Sequence, residues 1–120
     1  MKTIEEELNR LNFEDWLFII VIALATTNIF CNQLQKKYLE TQNKDFLITA
    51  STIFIIGLII SVFVYLYFVK RNYTLYKESS KENKALFKIK LLGSIFLVVG
   101  IILLIYFQIN DPNFIGAPAI

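Results

Sequence analysis

Phe46 to Val69 is an unbroken apolar run without a single Asp, Glu, Lys or Arg, bounded by Lys44 and Asp45 on one side and Lys70 and Arg71 on the other. Wound as a helix rising about 1.5 Å per residue, it reaches about 36 Å, more than the roughly 30 Å hydrocarbon core of a bilayer. Its Leu, Ile, Phe and Val residues contribute about −5 to −10 kcal/mol of apparent insertion free energy, with no buried charge to oppose it. Such a segment folds as a membrane-spanning helix.

Two further apolar blocks, Trp16–Cys31 and Leu91–Phe107, flank it, with polar stretches between. Three blocks in 120 residues predict an all-α, integral membrane three-helix bundle forming one membrane domain over the whole chain. The first span is expected over 13–34, the second over 45–69 with its helix continuing to about 77, and the third over 89–109. A short N-terminal amphipathic helix (3–12), an extended basic cytoplasmic hairpin (70–90) and an outer tail (110–120) complete the layout. Trp16–Cys31 alone gives only about 24 Å and contains Thr26, Thr27 and Asn28, so extension to 13–34 is what lets it cross. Asn12 offers an N-cap for that start, with Glu14 and Asp15 at headgroup level and favourable to the helix dipole.

The N-terminus does not read as a cleavable signal, because Glu5, Glu6, Glu7, Glu14 and Asp15 outweigh Lys2 and Arg10 where a secretory leader is basic. Asn28, Ile29 and Phe30 before Cys31 lack the small residue that a lipidation site needs. Cys31 is the single cysteine and there is no histidine. These absences remove the Cys–His and Ser–His catalytic pairs and the usual zinc ligand sets, so a non-enzymatic protein without metal or cofactor is expected.

Alternating spans put Lys2, Arg10, Lys70, Arg71, Lys77, Lys81, Lys84, Lys88 and Lys90 on one side, and only Lys36, Lys37 and Lys44 on the other. The positive-inside rule predicts a cytoplasmic N-terminus and an extracytoplasmic C-terminus. A two-span layout would divide the charges five against seven, a weaker bias. Trp16, Tyr65 and Tyr67 near one boundary and Tyr106 and Phe107 near the other suit interfacial belts.

Thr3-x-x-Glu6 reads as a capping box opening the N-terminal helix, with Ile4, Leu8 and Leu11 on one face, a surface helix packing against the bundle. In the 70–90 segment, Ser79-x-x-Glu82 is placed to cap the third helix from about Ser80. Lys70, Arg71, Lys77, Lys81, Lys84, Lys88 and Lys90 make this hairpin a contact surface for anionic lipid headgroups, or alternatively for a protein partner. Nucleic acid is not an expected partner, since Tyr73 and Tyr76 alone make no stacking platform. Asp111-Pro112 ends the third helix. Beyond it a flexible or interface-lying tail is expected, with Phe114, Ile115 and Ile120 leaving room for a docking peptide.

No charge lies in a span core, so no ion or proton pathway is advertised. Asn28 is the lone carboxamide at depth, with Thr49, Ser51 or Thr52 as the expected partner across the helices. Small residues form packing stripes: Ala23 and Thr27 on the first helix, Ala50, Gly57 and Ser61 on the second, Gly93 and Gly100 on the third.

At Ile89–Ser94 and Asn113–Ile120 the chain resembles small uncharacterised three-span membrane proteins of AT-rich Gram-positive bacteria. That resemblance implies a bacterial cell-membrane location and no activity. The functional expectation is a non-enzymatic accessory or interaction subunit of a bacterial cell-membrane complex, whose partner is a membrane protein or a second copy. A homo-oligomeric pore or holin-like protein and a membrane immunity protein against a peptide toxin are the alternatives.

Overall fold

The computed structural model describes residues 3–118. Among them are three α-helices and no strand: α1 (Ile4–Thr41), α2 (Lys44–Glu78) and α3 (Lys84–Asn110). All three are long and apolar enough to cross a membrane, so a membrane location is plausible. Thr3 opens α1 from an extended conformation, and its hydroxyl oxygen accepts the Glu6 amide at 3.2 Å. Glu5, Glu6 and Glu7 in the first turn meet the positive end of the helix dipole.

The expected break at Asn12 does not occur; residues 3–12 are not a separate surface helix, and α1 is continuous for 38 residues. No glycine or proline interrupts it, and Arg10 bridges the two stretches, donating to Glu7 at 2.7 Å and Glu14 at 3.2 Å. The amphipathic face stays bare, with Ile4, Leu8 and Leu11 exposed. At its other end α1 outruns the expected boundary at Leu34 and stops at Thr41. Gln42 adopts the left-handed region at φ 59°, donating its amide to the Tyr38 carbonyl at 2.7 Å. Asn43 then accepts the Asp45 amide at 3.1 Å to start α2, so the connection expected between spans ending at 34 and starting at 45 is reduced to two residues.

α2 runs past Arg71 to Glu78, matching the helical continuation expected to about 77. Ser79 closes this helix in place of opening the next: its amide and hydroxyl both donate to the Tyr76 carbonyl, at 3.3 and 2.7 Å. The expected Ser79–Glu82 cap is therefore not made. A turn closed by the Asn83 amide on Ser80 precedes α3, which begins at Lys84.

The helices run antiparallel as a bundle flattened into a single layer. α2 is central, and no Cα of α1 comes within 8 Å of one in α3. The Cα extents are 60 × 27 × 14 Å. Between α1 and α2, Cys31, Ala50 and Phe54 form a buried cluster, and Gly57 lets Leu24 approach to 3.6 Å from where a Cβ would sit. Between α2 and α3, Ser51 accepts a hydrogen bond from the buried Gln108 amide at 3.1 Å. Ser51→Ala alone strands that amide and should cost about 0.6–2 kcal/mol, whereas Ser51→Ala combined with Gln108→Leu should regain most of it. Unfolding of the detergent-solubilised protein by SDS reads both values.

The small-residue stripes are only partly used within the chain. Ala50 and Ser61 are buried, but Ala23 is exposed, and a Cβ at Gly93 or Gly100 would meet nothing within 4 Å. Thr27 and Ser61 bond to their own helix, at the carbonyls of Ala23 and Gly57. Asn28 lines a small apolar cavity of about 110 Å³ with Leu24, Phe54 and Gly57, while Ser51 accepts from Gln108 and the Thr52 hydroxyl donates to the Ile48 carbonyl.

The expected free tail is the largest departure. After Asp111 the chain doubles back onto the layer, with Phe114 edge-on to Phe107 at 5.2 Å. Gln35 of α1 clamps it from both sides: its amide donates to the Phe114 carbonyl at 3.3 Å, and its oxygen accepts the Gly116 N–H at 2.9 Å. Gly116 makes the bend at φ 134°, a conformation that suits glycine. Ala117 packs on the Cys31–Ala50–Phe54 cluster, and Pro118 reaches the cavity beside Asn28. Ile120, part of the expected docking peptide, lies outside the described residues.

Candidate functional site

The site with most chemistry lies at the basic end of the layer, where α1 begins, α2 ends and α3 begins. It is built on Glu14, which extension of α1 through residue 12 places against α2. Only 5% of this residue is exposed. Arg71 donates to its Oε1 at 2.8 Å, Arg10 to its Oε2 at 3.2 Å, and the Tyr67 hydroxyl to Oε2 at 3.1 Å. One carboxylate thus joins two turns of α1 to the far part of α2. Burial of a carboxylate is tolerated because both oxygens are bonded and the negative charge faces two guanidinium groups.

Aromatic side chains wall this network. Phe13 meets the Tyr67 ring edge-on at 5.0 Å, Phe18 lies 5.7 Å from Phe68, and the Arg71 guanidinium sits 4.9 Å above Phe68. Arg71 also donates to the carboxamide oxygen of the buried Asn72. The hydrogen bond to Glu7 raises the Arg10 pKa above its ordinary value, with the charges of Glu7 and Glu14 adding to it against the opposing effect of burial.

Beside the network opens a cleft of about 600 Å³, lined by residues of all three helices. α1 contributes Glu7 and Arg10, α2 contributes Tyr67, Lys70, Arg71, Thr74, Leu75 and Glu78, and α3 contributes Lys90. The spacing of the α2 residues by three and four keeps them on one helical face. It exists because α1 and α3 do not close over α2.

The seven basic residues expected to act as one contact surface therefore separate into distinct roles. Arg71 is committed to Glu14. Lys77 lies 5.6 Å from the Tyr73 ring centroid and Lys84 lies 5.3 Å from that of Tyr76. Lys70, Lys81, Lys88 and Lys90 are all exposed, and of these Lys70 and Lys90 line the cleft. Among the described residues no group of three or more His, Cys, Asp or Glu side chains could hold a metal ion.

Sequence reasoning missed Arg10, Glu14 and Tyr67 as a unit. A signal was present: Glu14 and Arg71 are opposite charges placed at the same ends of adjacent antiparallel spans. The chain matches no protein-family model, no curated protein and no solved structure.

Proposed function

We propose that this protein is a non-enzymatic multi-pass protein of a bacterial cell membrane that acts as an accessory or interaction subunit, with its N-terminus cytoplasmic and its C-terminus extracytoplasmic. The orientation draws on the division of Lys and Arg, nine against three. The association reading draws on one observation, the bare glycine face of α3. Gly93 and Gly100 each weaken a helix by about 1 kcal/mol relative to alanine, and among the described residues no neighbour uses the space they leave. A glycine stripe facing acyl chains has no packing value; one facing another helix lets the backbones approach closely.

The pore alternative gains no support from the layer, because Ser51, Gln108 and Gln35 are occupied by internal hydrogen bonds. The partner of α3 is a membrane protein or a second copy of this chain.

Photocrosslinking in native membranes tests the association. A crosslinking residue at Phe96, on exposed α3, should capture a protein in wild-type background and lose at least about nine-tenths of it with Gly100→Leu, a change of about 1.4 kcal/mol. The same residue at the exposed Phe63 on α2 should capture lipid. Equal yields at the two positions, or capture unaffected by Gly100→Leu, would remove the reading. Gly57→Leu supplies the contrast, since it adds a large side chain where a Cβ alone would already touch Leu24 at 3.6 Å, and should disturb the packing of α1 on α2 itself.

A further inference from the structure

We infer that the cleft at the basic end binds the phosphate of one anionic phospholipid, held between Lys70 of α2 and Lys90 of α3. This rests on the helices spanning a membrane and is independent of the association proposed for α3.

The first ground is charge. Four cations line the cleft against Glu7 and Glu78, and two of the four are already used: Arg10 by Glu7 and Glu14, Arg71 by Glu14. Lys70 and Lys90 have no carboxylate within 4 Å among the described residues, so two ammonium groups from different helices line one space without an ion-pair partner. Glu14 is turned inward to both arginines and Glu7 is bonded to Arg10, which leaves Glu78 as the one cleft carboxylate outside an ion pair. Arg10, Lys70, Arg71 and Lys90 against Glu7, Glu14 and Glu78 leave a single positive charge, which a singly charged phosphodiester would balance.

Depth is the second ground. Lys70 directly follows the apolar run that ends at Val69, and Lys90 directly precedes the one that begins at Leu91. Both therefore stand where helices leave hydrocarbon for headgroups, the level of a phospholipid phosphate. Inorganic phosphate has no reason to concentrate there. The volume of about 600 Å³ exceeds what a bare phosphate needs, and the Tyr67 ring, one turn to the hydrocarbon side of Lys70, gives the cleft an apolar wall on the side where a glycerol backbone would lie. A basic pocket between transmembrane helices is a recurrent way of holding anionic headgroups.

The test uses the full chain reconstituted into nanodiscs, then released for native mass spectrometry with added phosphatidylglycerol, phosphatidylcholine or inorganic phosphate. The wild type should keep one phosphatidylglycerol in preference to phosphatidylcholine, and millimolar inorganic phosphate should not displace it. Lys70→Ala with Lys90→Ala should weaken retention by roughly ten- to thirtyfold, and Lys81→Ala with Lys88→Ala by less than about threefold. Equal losses in the two double variants overturn the site in favour of a diffuse basic surface. Displacement by inorganic phosphate overturns the lipid as its occupant. A chain that enters the discs but treats both lipids alike overturns this inference alone, whereas one that fails to enter overturns the membrane reading beneath it.

Discussion

Glu14→Ala is expected to destabilise the solubilised protein by about 2–3 kcal/mol, the larger of the two strongest effects foreseen for this chain. Removing one member of a buried ion pair costs about 3–5 kcal/mol because the other charge remains without compensation. A value at or below the bottom of that range applies here, since the side chains of Arg71 and Arg10 are 18% and 26% exposed and retain some access to water. Glu7→Ala removes a carboxylate that is 42% exposed, and should cost less than about 1 kcal/mol. Combining Glu14→Ala with Arg71→Leu removes the stranded charge together with its partner, so the double variant should be less damaged than the sum of the two single changes. SDS unfolding of all four proteins closes the cycle; equal small losses for Glu7→Ala and Glu14→Ala would show that the network carries no special stability.

The second large effect concerns Cys31, which is fully buried beside Ala50 and Phe54 with Ala117 of the returning tail packed on the cluster. Gln35→Ala deletes both hydrogen bonds that hold the tail, each worth about 0.5–1.5 kcal/mol net, so the tail should open about five- to a hundredfold more often. Cys31 is the only thiol, which makes its labelling rate by a small methanethiosulfonate a direct readout of that opening. Gly116→Val should act in the same direction by another route. It places a side chain at φ 134°, and its Cβ would fall 3.1 Å from the Phe114 ring. Thr41→Ala, near the same end of α1, removes a hydroxyl that donates to the Lys37 carbonyl at 2.8 Å and accepts the Asn43 amide at 3.2 Å but has no bond to the tail, and should leave the rate unchanged. If Cys31 stays inert in both tail variants, the helices alone protect it.

These two sites also mark where the sequence ceased to be legible. The spans could be read because long apolar runs between charged flanks have few other ways to fold. The second helix was legible almost to its ends, since nothing from Lys44 to Glu78 interrupts it. Thr3 could be recognised as a cap because its role depends on the amide of Glu6, three residues away. Ser79 has the same local signature but serves the preceding helix, and choosing between the two ends needs the geometry of the turn. Glu14 and Arg71 are 57 residues apart, and Gln35 and Gly116 are 81 apart; neither bond leaves a local pattern. The tail was harder still, because Gln35 holds backbone groups and not side chains that a sequence could mark. The spacing of Gly93 and Gly100 puts them on one face of α3, but a spacing says nothing of what packs there, and among the described residues nothing lies within 4 Å of a Cβ built at either.

The two-residue connection at Gln42 and Asn43 bears on how the chain enters a membrane during synthesis. So short a link leaves α1 and α2 no freedom to settle at independent depths, and Tyr38, Gln42, Asn43 and Asp45 already close the turn locally. α1, whose apolar block contains Thr26, Thr27 and Asn28, is thereby tethered to a helix that carries no charge from Phe46 to Val69. In a membrane, α1 and α2 would then enter as one hairpin, with the charge-free limb of α2 accompanying the weaker α1.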